Sequence, residues 1–180
     1  MLDISHPPTP LVAGAGHTNA IAIGSVSKLF WGGLRVGWIR APRTVISRLI
    51  REKTTVDLSC SPITQLVARE LMGNVEEARN LRFEQLSKSL AAFADLLAAE
   101  CPEWTWQRPS GGSGLWVRLP QVDTVTLTQA ARHHGVSVMA GPAFSAVEGF
   151  RDMIRLPFTK PLPEAREGLL RLHHAWQTLQ

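Results

Sequence analysis

The chain has 180 residues, 44% of them hydrophobic and 19% charged, an ordinary globular composition long enough to bury a core. Its formal charge of +4 comes from basic residues scattered without a run, which is a weak nucleic-acid signal. No apolar stretch approaches the roughly 20 residues of a membrane helix and the opening MLDISHPPTP lacks the order of a signal peptide, so a cytoplasmic protein with no membrane partner is expected.

Cys60 and Cys101 are far apart, with no CxxC or Cys/His cluster, which supports neither a metal site nor a disulfide framework. The chain contains no tyrosine, which excludes any mechanism that draws a tyrosine from this polypeptide.

Pro7, Pro8 and Pro10 with a GAG step read as an extended surface segment. IAIG, 21–24, is of strand type, and Leu34, Val36 and Trp38 alternate with Arg35 and Gly37, which predicts strand, loop, strand. Pro42 then opens an amphipathic helix whose apolar stripe is Val45, Ile46, Leu49 and Ile50. Ser61 before Pro62 starts another, with Ile63, Leu66, Val67 and Leu71 as its buried face and Gly73 as terminator. From Glu76 to Glu100 the apolar positions Phe83, Leu86, Leu90, Phe93 and Leu97 recur at three and four, predicting one helix of about 25 residues, ~37 Å long. A domain boundary is placed inside it.

Beyond Pro102 the texture changes to short strands, WTWQ and GLWVRL, separated by the glycine pair of RPSGGS. Asp123 caps a helix to His134, VSVM and MIRLPF are further strands, and a last helix from Pro163 buries Ala165, Leu169, Leu172, Trp176 and Leu179. The expected architecture is α/β in the first part and α+β in the second.

The segment with most chemistry is GSVSKLFWGGLRVGW, Gly24 to Trp38. A lysine just after a strand, beside Ser25 and Ser27, with glycines and Arg35 following, suits a phosphorylated carbonyl cofactor. The amine can condense with an aldehyde while hydroxyls and a guanidinium hold the phosphate. On composition alone a surface lysine in a Gly/Ser loop is the better reading of Lys28, because short motifs match often by chance. The adjacent pairs His133/His134 and His173/His174 lack the spacing of helical metal ligands, so no metal is expected. Trp104, Trp106, Trp116 and Trp176 read as core aromatics before pocket walls.

GSVSKLFWGGLRVGWIRAP resembles the lysine segment of class I and II aminotransferases of PLP fold type I, most closely in the form found in the aminotransferase-like domain of MocR regulators, members of the GntR family. The resemblance continues in order through SPITQLVARELM, RPSGGSGLWVRLP, HGVSVMAGPAF and FRDMIRLPF. It implies the C-terminal part of a fold type I large domain, 1–85, followed by an α+β small domain, 86–180. It also implies pyridoxal 5'-phosphate (PLP) as cofactor, Lys28 as the lysine that carries it in an internal aldimine, and Ser25, Ser27 and Arg35 at its phosphate. Arg155 matches the arginine that grips a substrate or effector carboxylate, which a planar guanidinium pairs through two parallel hydrogen bonds. Read without the resemblance, Arg155 is a salt-bridged strand arginine. Gly111 and Gly112 match a glycine pair near the family's active site, or form a hairpin turn.

The family's aspartate facing the pyridine nitrogen, its tyrosine and its ring-stacking aromatic precede the lysine. Asp3 is the one acid upstream here and lacks their surroundings. The functions implied are a regulator domain that senses an amino acid or amine effector, an aminotransferase fragment, or a truncated remnant without ligand. The longer parent is expected to be a homodimer and to meet DNA only through a winged-helix domain absent from this chain.

Overall fold

The computed structural model describes residues 20–57 and 59–180; the proline segment at Pro7–Pro10 and Asp3 lie outside them. The chain divides into two compact units between Phe83 and Glu84.

In the first unit, β1 (Ala22–Ser25) and β2 (Gly37–Arg40) pair antiparallel, with Ser25 opposite Gly37 and Ala22 opposite Arg40. The strand expected over Leu34–Trp38 begins only at Gly37. Gly32–Leu34 close a 3-10 turn, and Arg35 adopts φ 51° and ψ 34°, a left-handed conformation that no strand tolerates. Leu34, read from alternation as a strand residue, instead drops from that turn into a small core with Val26 and Ala68, flanked by Phe30, Val36 and Leu71. Both ends of the β1–β2 connection are thereby pinned.

Three helices follow: α1 (Arg43–Val56), α2 (Pro62–Met72) and α3 (Val75–Glu100). Pro62 and Gly73 stand at the start and end of α2 as their backbone preferences require. The apolar stripes are where the sequence puts them, but they are not the buried faces expected. Val45 and Ile46 are half-buried, Leu49 and Ile50 exposed, and on α2 Ala68 is buried while Ile63, Leu66 and Val67 stay open to solvent. Periodicity fixes which side of a helix is apolar; what packs there is a property of the rest of the fold.

The unbroken helix predicted from Glu76 to Glu100 is present as α3, with Glu76 and Glu77 in its first turn. From Leu86 onward its stripe is buried through Leu90, Phe93 and Leu97, whereas Phe83 is exposed. The second unit adds the antiparallel sheet β3-β4-β6-β5, formed by Thr105–Trp106, Gly114–Arg118, Met153–Pro157 and Met139–Ala140. The helices α4 (Thr124–His133) and α5 (Leu162–Gln177) complete it. The strands expected over WTWQ and VSVM shrink to two residues each, because alternation continues into segments that find no ladder partner.

Register sets the two faces of this sheet. Leu115 opposite Leu156 and Val117 opposite Ile154 form one face, all buried. Leu156 borders a cavity with Phe93 of α3 and Leu169 and Leu172 of α5, so this face looks toward the helices. Burying each such aliphatic side chain contributes on the order of 1.5–3 kcal/mol. Gly114, Trp116 and Arg118, opposite Pro157, Arg155 and Met153, belong to the other face.

Asp123 caps α4 as expected, its carboxylate accepting from the amides of Val125 at 2.8 Å and Thr126 at 3.4 Å and from Arg151 Nε at 2.7 Å. Burial pushes its pKa up, but the Arg151 and amide hydrogen bonds outweigh that and hold the carboxyl below its ordinary range.

Candidate functional site

The connection between β1 and β2 carries Ser25, Ser27, Lys28 and Arg35. Its shape follows from what it buries. Val26 is 1% exposed and its amide donates to Val36 O at 3.2 Å. The Phe30 amide donates back to Val26 O at 2.9 Å, closing a turn over residues 27–30. With Val26 turned inward, Ser27 is half-buried and Lys28 exposed on the turn.

The two hydroxyls meet: Ser25 Oγ donates to Ser27 Oγ at 2.9 Å and accepts the Ser27 amide at 3.1 Å. Arg35 is exposed, and its left-handed backbone ends the same connection. Two of the glycines are explained by neighbouring rings. A Cβ on Gly24 would sit 2.2 Å from the Trp38 ring, and one on Gly33 2.3 Å from the Trp31 ring, so each indole lies over a glycine.

As a donor set this connection fits a phosphorylated carbonyl cofactor. Two hydroxyls and a guanidinium match a phosphate dianion, and an exposed primary amine stands between them in sequence. Ser25 and Ser27 are brought into contact; Lys28 and Arg35 share the loop.

Arg155 belongs to the second unit, on the sheet face with Gly114 and Trp116. The salt-bridge alternative fails: among the described residues its polar partner is a hydroxyl, Nη2 donating to Ser113 Oγ at 3.2 Å. A Cβ added to Gly114 would lie 3.1 Å from both Cζ and Nε of Arg155, so the half-buried guanidinium rests against the strand where a side chain is missing. Gly111 and Gly112, for which a family glycine pair and a hairpin turn were both open, lie in the connection between the antiparallel strands β3 and β4, with Gly112 at φ 102°. Sequence reasoning missed Ser113 and Gly114, whose signal was the small-residue run continuing into a strand.

Trp106 and Trp116 are half-buried and line a cleft, while Trp104 and Trp176 are buried in the core. His173 stacks on Trp176 with ring centroids 5.3 Å apart, and the rings of His134 and His174 meet edge to face at 5.0 Å. Among the described residues no group of three metal-ligating side chains forms, and no helix is long and apolar enough to cross a membrane.

The fold is that of a PLP-dependent transferase of fold type I. Residues 5–169 match the family described as aminotransferase class I and II, and the chain belongs to that family. It is 30% identical over 171 residues to aromatic-amino-acid aminotransferase 1 of Thermococcus litoralis, covering 92% of this chain and 41% of that protein. It is 33% identical over 156 residues to the HTH-type transcriptional regulator YjiR of Escherichia coli, covering 84% of this chain and 33% of the regulator.

Among solved structures it resembles LysN, the alpha-aminoadipate aminotransferase of Thermus thermophilus, in complex with N-(5'-phosphopyridoxyl)-L-leucine. The TM-score is 0.87 at 26% identity, over 99% of this chain and 48% of that one. The chain thus spans between a third and a half of the length of these relatives. Pyridoxal 5'-phosphate is the cofactor that the family and its PLP-carrying neighbours support.

Proposed function

We propose that the chain is the PLP-binding aminotransferase-like domain of a MocR-type transcriptional regulator, which senses an amino acid or amine effector through Lys28. In this reading the first unit is the remainder of the PLP-binding large domain and the second is the small domain. Bound there, PLP supplies an electrophilic carbonyl that captures primary amines.

The chain's own residues do the rest. Lys28 presents the amine for that carbonyl, and it must lose a proton to act as a nucleophile. Ser25 and Ser27, already in contact, and Arg35 hold the phosphate. Arg155, hydrogen-bonded to Ser113 and resting against Gly114, receives the effector's carboxylate. The observation that carries the reading is the VSKLFWGGLRVGW connection, in which buried Val26 and Leu34 fix a turn that exposes the lysine. HTH-type regulators among the relatives support the regulator assignment. The parent protein would act as a homodimer that meets DNA through a winged-helix domain.

The relatives that are plain aminotransferases favour a second reading, an enzyme domain that transfers the amino group. The two separate on one assay. PLP-loaded protein is mixed with a panel of amino acids and a 2-oxo acid acceptor, and followed for release of the cofactor from Lys28 and for new 2-oxo acid. The regulator reading expects an amino acid to free Lys28 without product. Sustained product formation, lost in Lys28→Ala, would replace it with the enzyme reading.

A further inference from the structure

Within the second unit, on the side of the sheet turned away from Arg155, lies an apolar cavity of about 170 Å³. Its walls are Leu156 of β6, Phe93 of α3, Leu169 and Leu172 of α5, and Val136 and Val138 ahead of β5. The leucines and Phe93 are buried, the valines half-buried. A dry cavity of about 150 Å³ takes a six-carbon ring, so this one has room for an apolar group of about six carbons.

The α5 wall includes Gly168, where an added Cβ would meet nothing within 4 Å. Glycine weakens a helix interior, and here neither a positive φ nor a crowded neighbour calls for it. The missing side chain leaves the cavity open on that side.

A wider recess of about 420 Å³ adjoins the cavity and shares Phe93, Lys160 and Ala165 with it. Its charged side chains are both lysines, Lys88 and Lys160, with Ser89 and Thr159 beside them. Lys160 donates to Glu164 Oε1 at 2.7 Å in an exposed pair one helical turn apart, which leaves its ammonium two further donors. Lys88 is exposed and has no ion-pair partner among the described residues.

From the cavity and recess together we propose a binding site for a straight-chain carboxylate of about six to eight carbons. Its tail leaves water against Phe93, Leu156 and Leu172, and its carboxylate lies in the recess at Lys88 and Lys160. Two ammonium groups against the single carboxylate of Glu164 leave one positive charge unbalanced, which a carboxylate head matches, a neutral head leaves as it is and an ammonium head repels. The site is separate from Lys28 and Arg155 and does not depend on their roles.

The test is a titration of the full chain with heptanoate, heptylamine and acetate, followed by its leucine methyl and tryptophan indole resonances. Leu172 is assigned through Leu172→Met, a swap that keeps volume. Trp116, which meets Phe150 edge to face at 5.5 Å on the opposite sheet face, is assigned through Trp116→Phe and reports that face. The expected result is a saturable Leu172 shift with heptanoate, at least about fivefold tighter than with heptylamine and absent with acetate. It should be lost in Gly168→Leu, which fills the cavity while restoring a good helix former, and weakened several-fold when Lys88 and Lys160 are both changed to glutamine. Equal or tighter binding of heptylamine would overturn the carboxylate class. Heptanoate binding that persists in a helical Gly168→Leu protein, or that shifts Trp116 in place of Leu172, would overturn the cavity as its seat, and no saturable shift with heptanoate would overturn the site. Heptanoate against heptylamine on the parent chain decides the class without relying on any variant to fold.

Discussion

Replacing Gly141 by alanine and Gly168 by alanine should move stability in opposite directions, although each adds one methyl group. Gly141 is buried, and a Cβ there would lie 1.9 Å from Phe150 O, 2.8 Å from Met153 O and 2.8 Å from Phe150 Cβ. Ordinary contact needs roughly 3.4 Å or more, so the backbone at 150–153 would have to retreat by about 1.5 Å. That segment cannot move freely. Met153 N donates to Phe150 O at 3.0 Å, Leu119 N to Asp152 O at 2.8 Å and Thr124 N to Arg151 O at 2.8 Å.

Overpacking costs about 1–3 kcal/mol, and losing one of these hydrogen bonds with its group still buried about 1–3 more, so Gly141→Ala should destabilise the second unit by about 3 kcal/mol. Gly168, inside α5, has nothing within 4 Å of its added Cβ, and Gly168→Ala should stabilise by about 0.5–1 kcal/mol through helix propensity. Urea denaturation monitored by far-UV circular dichroism reads both as shifts in midpoint at constant slope. A Gly141→Ala protein within about 0.5 kcal/mol of the parent would refute the packing at this corner, and with it the placement of Phe150 against Trp116.

Asp123 is held below its ordinary pKa, so its contribution to stability should be complete above the unfolded carboxyl's pKa near ~4 and vanish as pH falls through the lower folded value. Asp123→Ala should cost about 0.5–2 kcal/mol at pH 7 as a lost cap, and the difference from the parent should shrink toward pH 2; an unchanged difference across that range would count against it. Cys101 is fully buried and burial pushes its thiol up to about 12, whereas Cys60 is partly exposed. A thiol reagent at pH 8 should therefore titrate one thiol in the folded chain and both in denaturant; two fast-reacting thiols in the folded chain would contradict the buried placement.

The elements that could be read from sequence are those stabilised locally. α3 announces itself by an apolar stripe that needs no partner to be recognised, α4 by the Asp123 cap, and α2 by Pro62 and Gly73. What escaped depends on distant residues. The strand at Leu34 was misplaced because alternation cannot show that Arg35 turns left-handed and that Leu34 packs beneath Ala68 of α2. Exposure of Leu49, Ile50, Ile63 and Leu66 escaped because spacing reports polarity and not cover. At the candidate site, Lys28, Ser25, Ser27 and Arg35 stand close together in sequence, but only the resemblance to the family singles them out, since composition alone reads Lys28 as a surface lysine. The seat of Arg155 was not legible, since Ser113 lies 42 positions away in sequence and reaches it only through the β4–β6 register.

The central claim is that Lys28 is the residue that takes PLP. Titrating the purified chain with PLP while recording near-visible absorbance, then reducing with borohydride and locating the pyridoxyl mass on the sequence, tests it directly. The account predicts a saturable spectral change and a label on Lys28, both lost in Lys28→Ala, with Arg35→Ala weakening the binding about tenfold or more. Equal spectral change in the parent and Lys28→Ala, or a label spread over surface lysines with none enriched at Lys28, would contradict it.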